Sequence, residues 1–192
     1  MIVLIATIPL RNGKELWDLK LKTLNLNKKM KVSSLKPKIQ VMKSEVYINS
    51  EELRKQLNTL LSDYQIYYQN LRAFHWLVKG PQFYQLHAKF EEFYDQAADD
   101  IDEIAERILM IGGKPLHTFE DYLKNATIKP EKDLVKPADI LPRLISNAES
   151  LLGSCRKVVE TASEADDEGT VALMGDLISY SEKQLWMLNS LG

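Results

Sequence analysis

Residues 83–113 read FYQLHAKFEEFYDQAADDIDEIAERILMIGG, and two stripes of side chains run through them. Leu86, Phe90, Tyr94, Ala97, Ile101, Ile104, Ala105, Ile108 and Ile111 recur at steps of three and four, which predicts an amphipathic helix over about 83–111. Gly112-Gly113 ends it, since glycine accepts the left-handed backbone of a helix stop. The second stripe is chemical. His87, Glu91, Asp95, Asp102 and Glu106 follow one another at steps of four, four, seven and four and share one helical face.

The same period extends outward in both directions. Ser50-Glu51-Glu52 offers a cap and an acidic first turn to a helix over about 50–78, with Leu53, Leu57, Leu60, Leu61, Tyr64, Tyr67, Tyr68, Leu71 and Phe74 on its apolar face. Gly80-Pro81 stops it, because proline donates no backbone N–H and disfavours helix in the residue before it. A third helix is expected over about 140–163, with Asp139 as N-cap and Pro142 in its first turn, and a fourth over about 167–190 after Asp166-Asp167-Glu168. Between the second and third, Thr118 to Leu123 can form one short capped helix. The fold class is therefore all-α. Two tight turns and one long connection at 114–136, long enough to cross a bundle lengthwise, give a ferritin-like four-helix bundle with a short helix in its crossover.

Composition agrees. Eight Gly, seven Pro and 8% aromatics in 192 residues leave few turn residues for a many-stranded sandwich or barrel. Cys155, the single cysteine, can form neither an internal disulfide nor a cysteine zinc site, so a reducing, cytoplasmic setting is expected, with Cys155 in the core. The apolar run Met1 to Leu10 is too short to span a bilayer and no positive charge precedes it, so no membrane association is expected. The net charge of −2 hides an asymmetry: residues 1–45 hold ten basic and three acidic side chains, net +7, and the remainder carries −9. A basic, disordered arm over 1–46, part of which can be upstream sequence given Met30 and Met42, is expected to precede a domain at 47–192. Lys28, Lys29, Lys31, Lys36 and Lys38 in that arm are candidates for non-specific contact with DNA phosphates.

The polar stripe joins a histidine to carboxylates at helical spacing, and His75 lies at the end of the preceding helix beside Trp76. Imidazole with carboxylate suits iron, manganese or zinc better than calcium or magnesium. His87 with Glu91, or Asp102 with Glu106, can each meet at one ion. His87 and Asp102, however, are fifteen residues apart, roughly 22 Å along a helix rising 1.5 Å per residue. Either the chain carries two unrelated half-sites, or two copies of this helix lie antiparallel across a two-fold axis near residues 94–99. The second arrangement places Tyr94, Ala97 and Ala98 near the axis. The chain contains no Glu-x-x-His, so a di-iron centre inside one bundle is disfavoured.

The stretch His75-Trp76-Leu77-Val78-Lys79-Gly80-Pro81-Gln82-Phe83, with Leu86-His87, Glu91 and Ile101-Asp102-Glu103-Ile104-Ala105-Glu106-Arg107, resembles the Dps family, the ferritin-like DNA-protection proteins of starved bacteria. The likeness covers about residues 47–190. It implies a ferroxidase within a hollow shell of twelve subunits, which oxidises Fe(II) preferably with hydrogen peroxide and stores the ferric product, protecting DNA. It implies further that His75, His87 and Glu91 of one subunit bind iron together with Asp102 and Glu106 of its two-fold partner, and it leaves Trp76 either a radical quencher or a packing residue. Glu91 departs from the Asp that many members carry; it is an oxygen ligand longer by one methylene. His117 reads as a cap or surface residue. The alternative is a non-enzymatic nucleoid protein that coats DNA through the basic arm.

Overall fold

The helical period is realised in a computed structural model that describes residues 51–191. The basic arm, with its lysines at 28, 29, 31, 36 and 38, and the Ser50 cap lie outside the described residues. Five helices follow: α1 (Glu51–Leu77), α2 (Phe83–Met110), α3 (Phe119–Asn125), α4 (Pro137–Glu164) and α5 (Glu168–Asn189). α1 packs along α2, α4 along α5, and α1 against α4, with α3 lying on α1. Their apolar stripes meet in one core in which Leu57, Leu71, Phe74, Phe90, Ile104 and Leu144 are fully buried. Each such side chain contributes about 1.5–3 kcal/mol.

The ends of the helices follow local chemistry. Thr118 caps α3 by accepting from the Asp121 N–H at 3.2 Å. Gly112 takes φ 74°, and a Cβ on Gly113 would stand 2.7 Å from Cγ2 of Ile108, so both residues of the stop are glycines for a steric reason. One expected boundary is wrong: α4 starts at Pro137, before Asp139. Proline at the first helical position forfeits nothing, since that N–H has no partner within the helix, and its fixed φ is already helical. The Lys136 carbonyl accepts from the N–H groups of Asp139 and Ile140, at 2.9 and 3.1 Å. Asp139 is thus a first-turn acid facing the positive end of the helix, and Pro142 falls in the second turn, where it removes the N–H that would reach the Ala138 carbonyl.

Three polar side chains of α1 fasten the long connection along that helix. Asn58 accepts from the Leu116 N–H at 2.7 Å. Buried Asp63 accepts from the N–H groups of Thr127 and Ile128, at 2.6 and 2.9 Å, and from the Thr127 hydroxyl at 2.9 Å. Asn70 donates to the Lys129 carbonyl at 2.9 Å and accepts from the Glu131 N–H at 2.8 Å. A peptide segment without its own ladder has its backbone groups satisfied in this way as it runs the length of the bundle. At the far end, Arg107 of α2 pairs with Asp167, the N-cap of α5, and donates to the Thr170 hydroxyl at 2.8 Å.

Candidate metal centre

The turn at Gly80-Pro81 folds the last turn of α1 back onto the first turns of α2 and brings His75 against His87. Their rings are stacked, with centroids 3.7 Å apart and planes 21° from parallel. Each Nδ1 is 2.8 Å from the backbone carbonyl of the other histidine. A carbonyl oxygen only accepts, so each Nδ1 carries the hydrogen, and each Nε2 is left with a lone pair. This is the arrangement in which a hydrogen bond on one ring nitrogen fixes the tautomer of a metal-binding imidazole. Phe83 lies nearly parallel to His87 at 5.0 Å, and the Tyr94 ring meets His75 edge-on at 5.4 Å.

Glu91 lies one turn beyond His87, is exposed, and accepts from the Tyr94 hydroxyl at 3.2 Å. Asp102 and Glu106 are exposed on the same helix, three to four turns further on. Within one chain the fold brings His75 and His87 together but leaves Asp102 and Glu106 distant. Among the described residues, no three His, Cys, Asp or Glu side chains of one chain converge as a metal site. Trp76 is exposed, with the Arg72 guanidinium 4.7 Å above its ring. His117 is exposed and its Nδ1 is 3.1 Å from the Pro115 carbonyl. Cys155 is a buried core residue whose thiol burial pushes up to about 12.

One expectation needs revision. Ala97 is 1% exposed and faces the core of its own bundle, so of the two alanines only Ala98 is available to a partner. Adjacent helical residues point 100° apart, and the pair cannot share a face. Asp100, absent from the polar stripe, is a buried carboxylate that accepts from the Gln96 side chain at 2.8 Å; burial lifts its pKa from 3.8 to about 6. Tyr94, which spacing assigns to the apolar stripe, also has a polar role beside Glu91. The signal for it is a position three residues after a candidate ligand.

A family model described as a ferritin-like domain matches residues 54–191. The DNA protection during starvation protein of Porphyromonas gingivalis is 46% identical over 136 residues, 71% of this chain and 86% of that one. DNA protection during starvation protein 2 of Bacillus anthracis is 40% identical over 134 residues, covering 70% and 92% of the two chains. The crystal structure of the Dps protein from Vibrio cholerae O1, described as a member of a broad superfamily of ferritin-like diiron-carboxylate proteins, superposes with a TM-score of 0.73 at 44% identity. It covers 74% of this chain and 89% of its own. Among the described residues, no helix is long and apolar enough to cross a membrane.

Proposed function

Since the chain belongs to the Dps family of ferritin-like proteins, we propose that it is a ferroxidase and iron-storage protein whose oxidation site is shared between two subunits. The crossed hydrogen bonds of His75 and His87 carry this reading, because they commit both Nδ1 atoms to main-chain carbonyls and leave both Nε2 atoms for a metal. Their Nε2 atoms and the Glu91 carboxylate are the Fe(II) ligands from one subunit; Asp102 and Glu106 come from the partner and offset the charge of the metal.

The exposed face of α2 supports the sharing. Tyr84, Glu91, Asp95, Ala98, Asp102, Glu106 and Leu109 are exposed at steps of seven, four, three, four, four and three, a single seam along the helix. Run antiparallel against its own copy about a midpoint between Gln96 and Ala97, the seam sets Glu91 opposite Asp102, His87 opposite Glu106, and Tyr84 opposite Leu109. Tyr84 and Leu109 are 82% and 58% exposed in the single chain and cover one another at both ends of the seam. One register thus completes two ligand sets and buries four apolar side chains, two from each subunit.

At this site two Fe(II) supply the two electrons that cleave the O–O bond of hydrogen peroxide; with two protons the products are two Fe(III) and two waters. Delivering both electrons together avoids the hydroxyl radical that one-electron cleavage releases. The ferric product passes to acidic groups inside a shell of two-fold dimers, a dodecamer by analogy with the family. The relatives are named for protecting DNA, and consumption of peroxide and Fe(II) accounts for such protection without requiring DNA contact. The test is anaerobic Fe(II) loading followed by measured additions of peroxide, with ferric absorbance followed and particle size taken by gel filtration. Rapid oxidation in the wild type that is lost in the Asp102→Asn/Glu106→Gln double variant supports the site; equal rates reject it.

A further inference from the structure

The main chain leaves the helical pattern of α1 at Lys79. Val78 still donates to the Phe74 carbonyl at 2.9 Å, and in a continuing helix the Lys79 N–H would reach the His75 carbonyl. It donates instead to the Val135 carbonyl of the long connection, at 3.0 Å. The His75 carbonyl is thereby left to accept from Nδ1 of His87. Gly80, at φ 130°, then turns the chain beside Pro137, whose Cδ would stand 3.9 Å from a Cβ at that position. Asn70, 2% exposed, holds the connection just upstream: its amide donates to the Lys129 carbonyl at 2.9 Å and its oxygen accepts from the Glu131 N–H at 2.8 Å. Asn70 precedes His75 and Lys79 follows it, so residues 129–135 clasp the end of α1 on both sides of the histidine.

We propose that Asn70 is a positioning residue of the metal centre, acting through residues 129–135 to reserve the His75 carbonyl for His87. The inference rests on the reading of His75 and His87 as metal ligands. The last carbonyls of a helix have no donor within it, and its final turn is where local opening begins. With the clasp released, α1 can add Lys79 as a further helical residue, and its N–H then competes with Nδ1 of His87 for the His75 carbonyl. The His87 ring loses the bond that fixes its tautomer, and its hydrogen is free to move to Nε2. A neutral imidazole with its hydrogen on Nε2 has no lone pair there for a metal. The reciprocal bond from His75 to the His87 carbonyl spans the same turn and loosens with it. Asn58 supplies the comparison inside the same helix. It too donates to the connection, at the Lys114 carbonyl 3.3 Å away, and accepts from the Leu116 N–H at 2.7 Å. It does so near the other end of α1, where there is no histidine pair to align.

The test uses the full chain and two readouts: hydrogen exchange across residues 76–82, followed by mass spectrometry without metal, and Zn(II) binding by calorimetry. Asn70→Ala is expected to speed exchange in that segment and to lower Zn(II) affinity by about 10–100-fold, the scale on which a metal site responds to lost support of its ligands. Asn58→Ala is expected to lower the urea midpoint as well, while both readouts stay at the wild-type value. Unchanged Zn(II) affinity in Asn70→Ala, or an equal loss in Asn58→Ala, overturns the proposal. Should Asn70→Ala fail to fold, Asn70→Asp keeps the acceptor for Glu131 and loses only the donor to Lys129. A smaller loss of affinity in that variant supports the clasp, and no loss overturns it. His87→Ala separates the two readings. If it binds Zn(II) as tightly as the wild type, the ligand reading fails; if it binds weakly while Asn70→Ala binds normally, only the positioning role fails.

Discussion

His75 and His87 hold each other's tautomer: each ring nitrogen Nδ1 donates to the other residue's main-chain carbonyl at 2.8 Å. The acceptors are backbone atoms, so they survive any side-chain substitution. His87→Ala removes one imidazole ligand, while the main-chain carbonyl at that position still orients His75. We expect Zn(II) affinity, measured by calorimetry as a redox-silent probe, to fall by more than the roughly 10–100-fold that loss of a ligand's hydrogen-bond support alone costs. Unchanged affinity would show that these histidines are only a packing pair.

A shared site makes a prediction about mixtures. His87→Ala and Asp102→Ala chains should each be inactive as homo-oligomers, because every site then lacks a ligand. In a mixed dimer both lesions fall on the same site and the other site is intact. Random co-refolding of equal amounts should therefore restore about a quarter of wild-type sites, half the dimers being mixed with one good site each. No recovery from verified mixed dimers would sink the shared arrangement and leave His87 with Glu91, and Asp102 with Glu106, as unrelated half-sites.

Asp63 holds the long connection through three hydrogen bonds while fully buried. Asp63→Ala orphans two N–H groups and a hydroxyl, and we expect a loss of about 3 kcal/mol in urea unfolding. Asp63→Asn keeps an acceptor and should lose less. Equal effects of the two substitutions would mean that the charge, rather than the bonding geometry, sets the stability of this segment.

Most of the bundle is legible in the chain because burial and period coincide: Leu57, Phe74, Phe90 and Leu144 are core residues by spacing and by exposure. What is not legible depends on partners remote in sequence. Asn58, Asp63 and Asn70 look like the polar side of α1, and only the return of residues 116–131 along that helix gives them their role. The start of α4 differs from expectation because Asp139 is a good cap by residue type, while Pro137 two residues earlier is a better first position. At the candidate site the spacing of His87, Glu91, Asp102 and Glu106 is plain in the sequence, but the crossed histidine bonds are not. They join side chains to carbonyls across a turn and leave no mark in residue type.

The basic arm offers a separate test of DNA contact. Its ten basic side chains against three acidic ones favour phosphate, and the −9 of the remaining chain opposes it. We expect the full chain to retard DNA of any sequence in a gel shift, with affinity falling steeply as salt rises, and a chain beginning at Met42 to retard it much less. Multiple arms on one oligomer would sharpen the difference. Equal retardation by both chains would remove the arm from any account of DNA binding.

Asp100 supplies the pH dependence. It is 4% exposed, and burial is the main cause of its rise to about 6, with the neighbouring charges of Glu103 and Asp99 adding to it. The native state thus binds the proton more tightly than the unfolded chain, whose aspartates titrate near 3.9. The sign follows from linkage: this group favours folding most below about pH 4, the advantage disappears as pH climbs through about 6, and stability is flat above that. Asp100→Asn leaves a neutral amide of similar shape near Tyr64 and Gln96. The variant should be more stable than the wild type at pH 7.5, by up to about 3 kcal/mol if the full shift is realised, and the gap should close as pH falls toward 4. Urea titrations of both proteins at pH 4.5, 6 and 7.5 measure it. A gap that is constant across the three pH values, or that opens toward acid, would mean that Asp100 is ionised throughout and that the polar neighbours of α2 hold its charge.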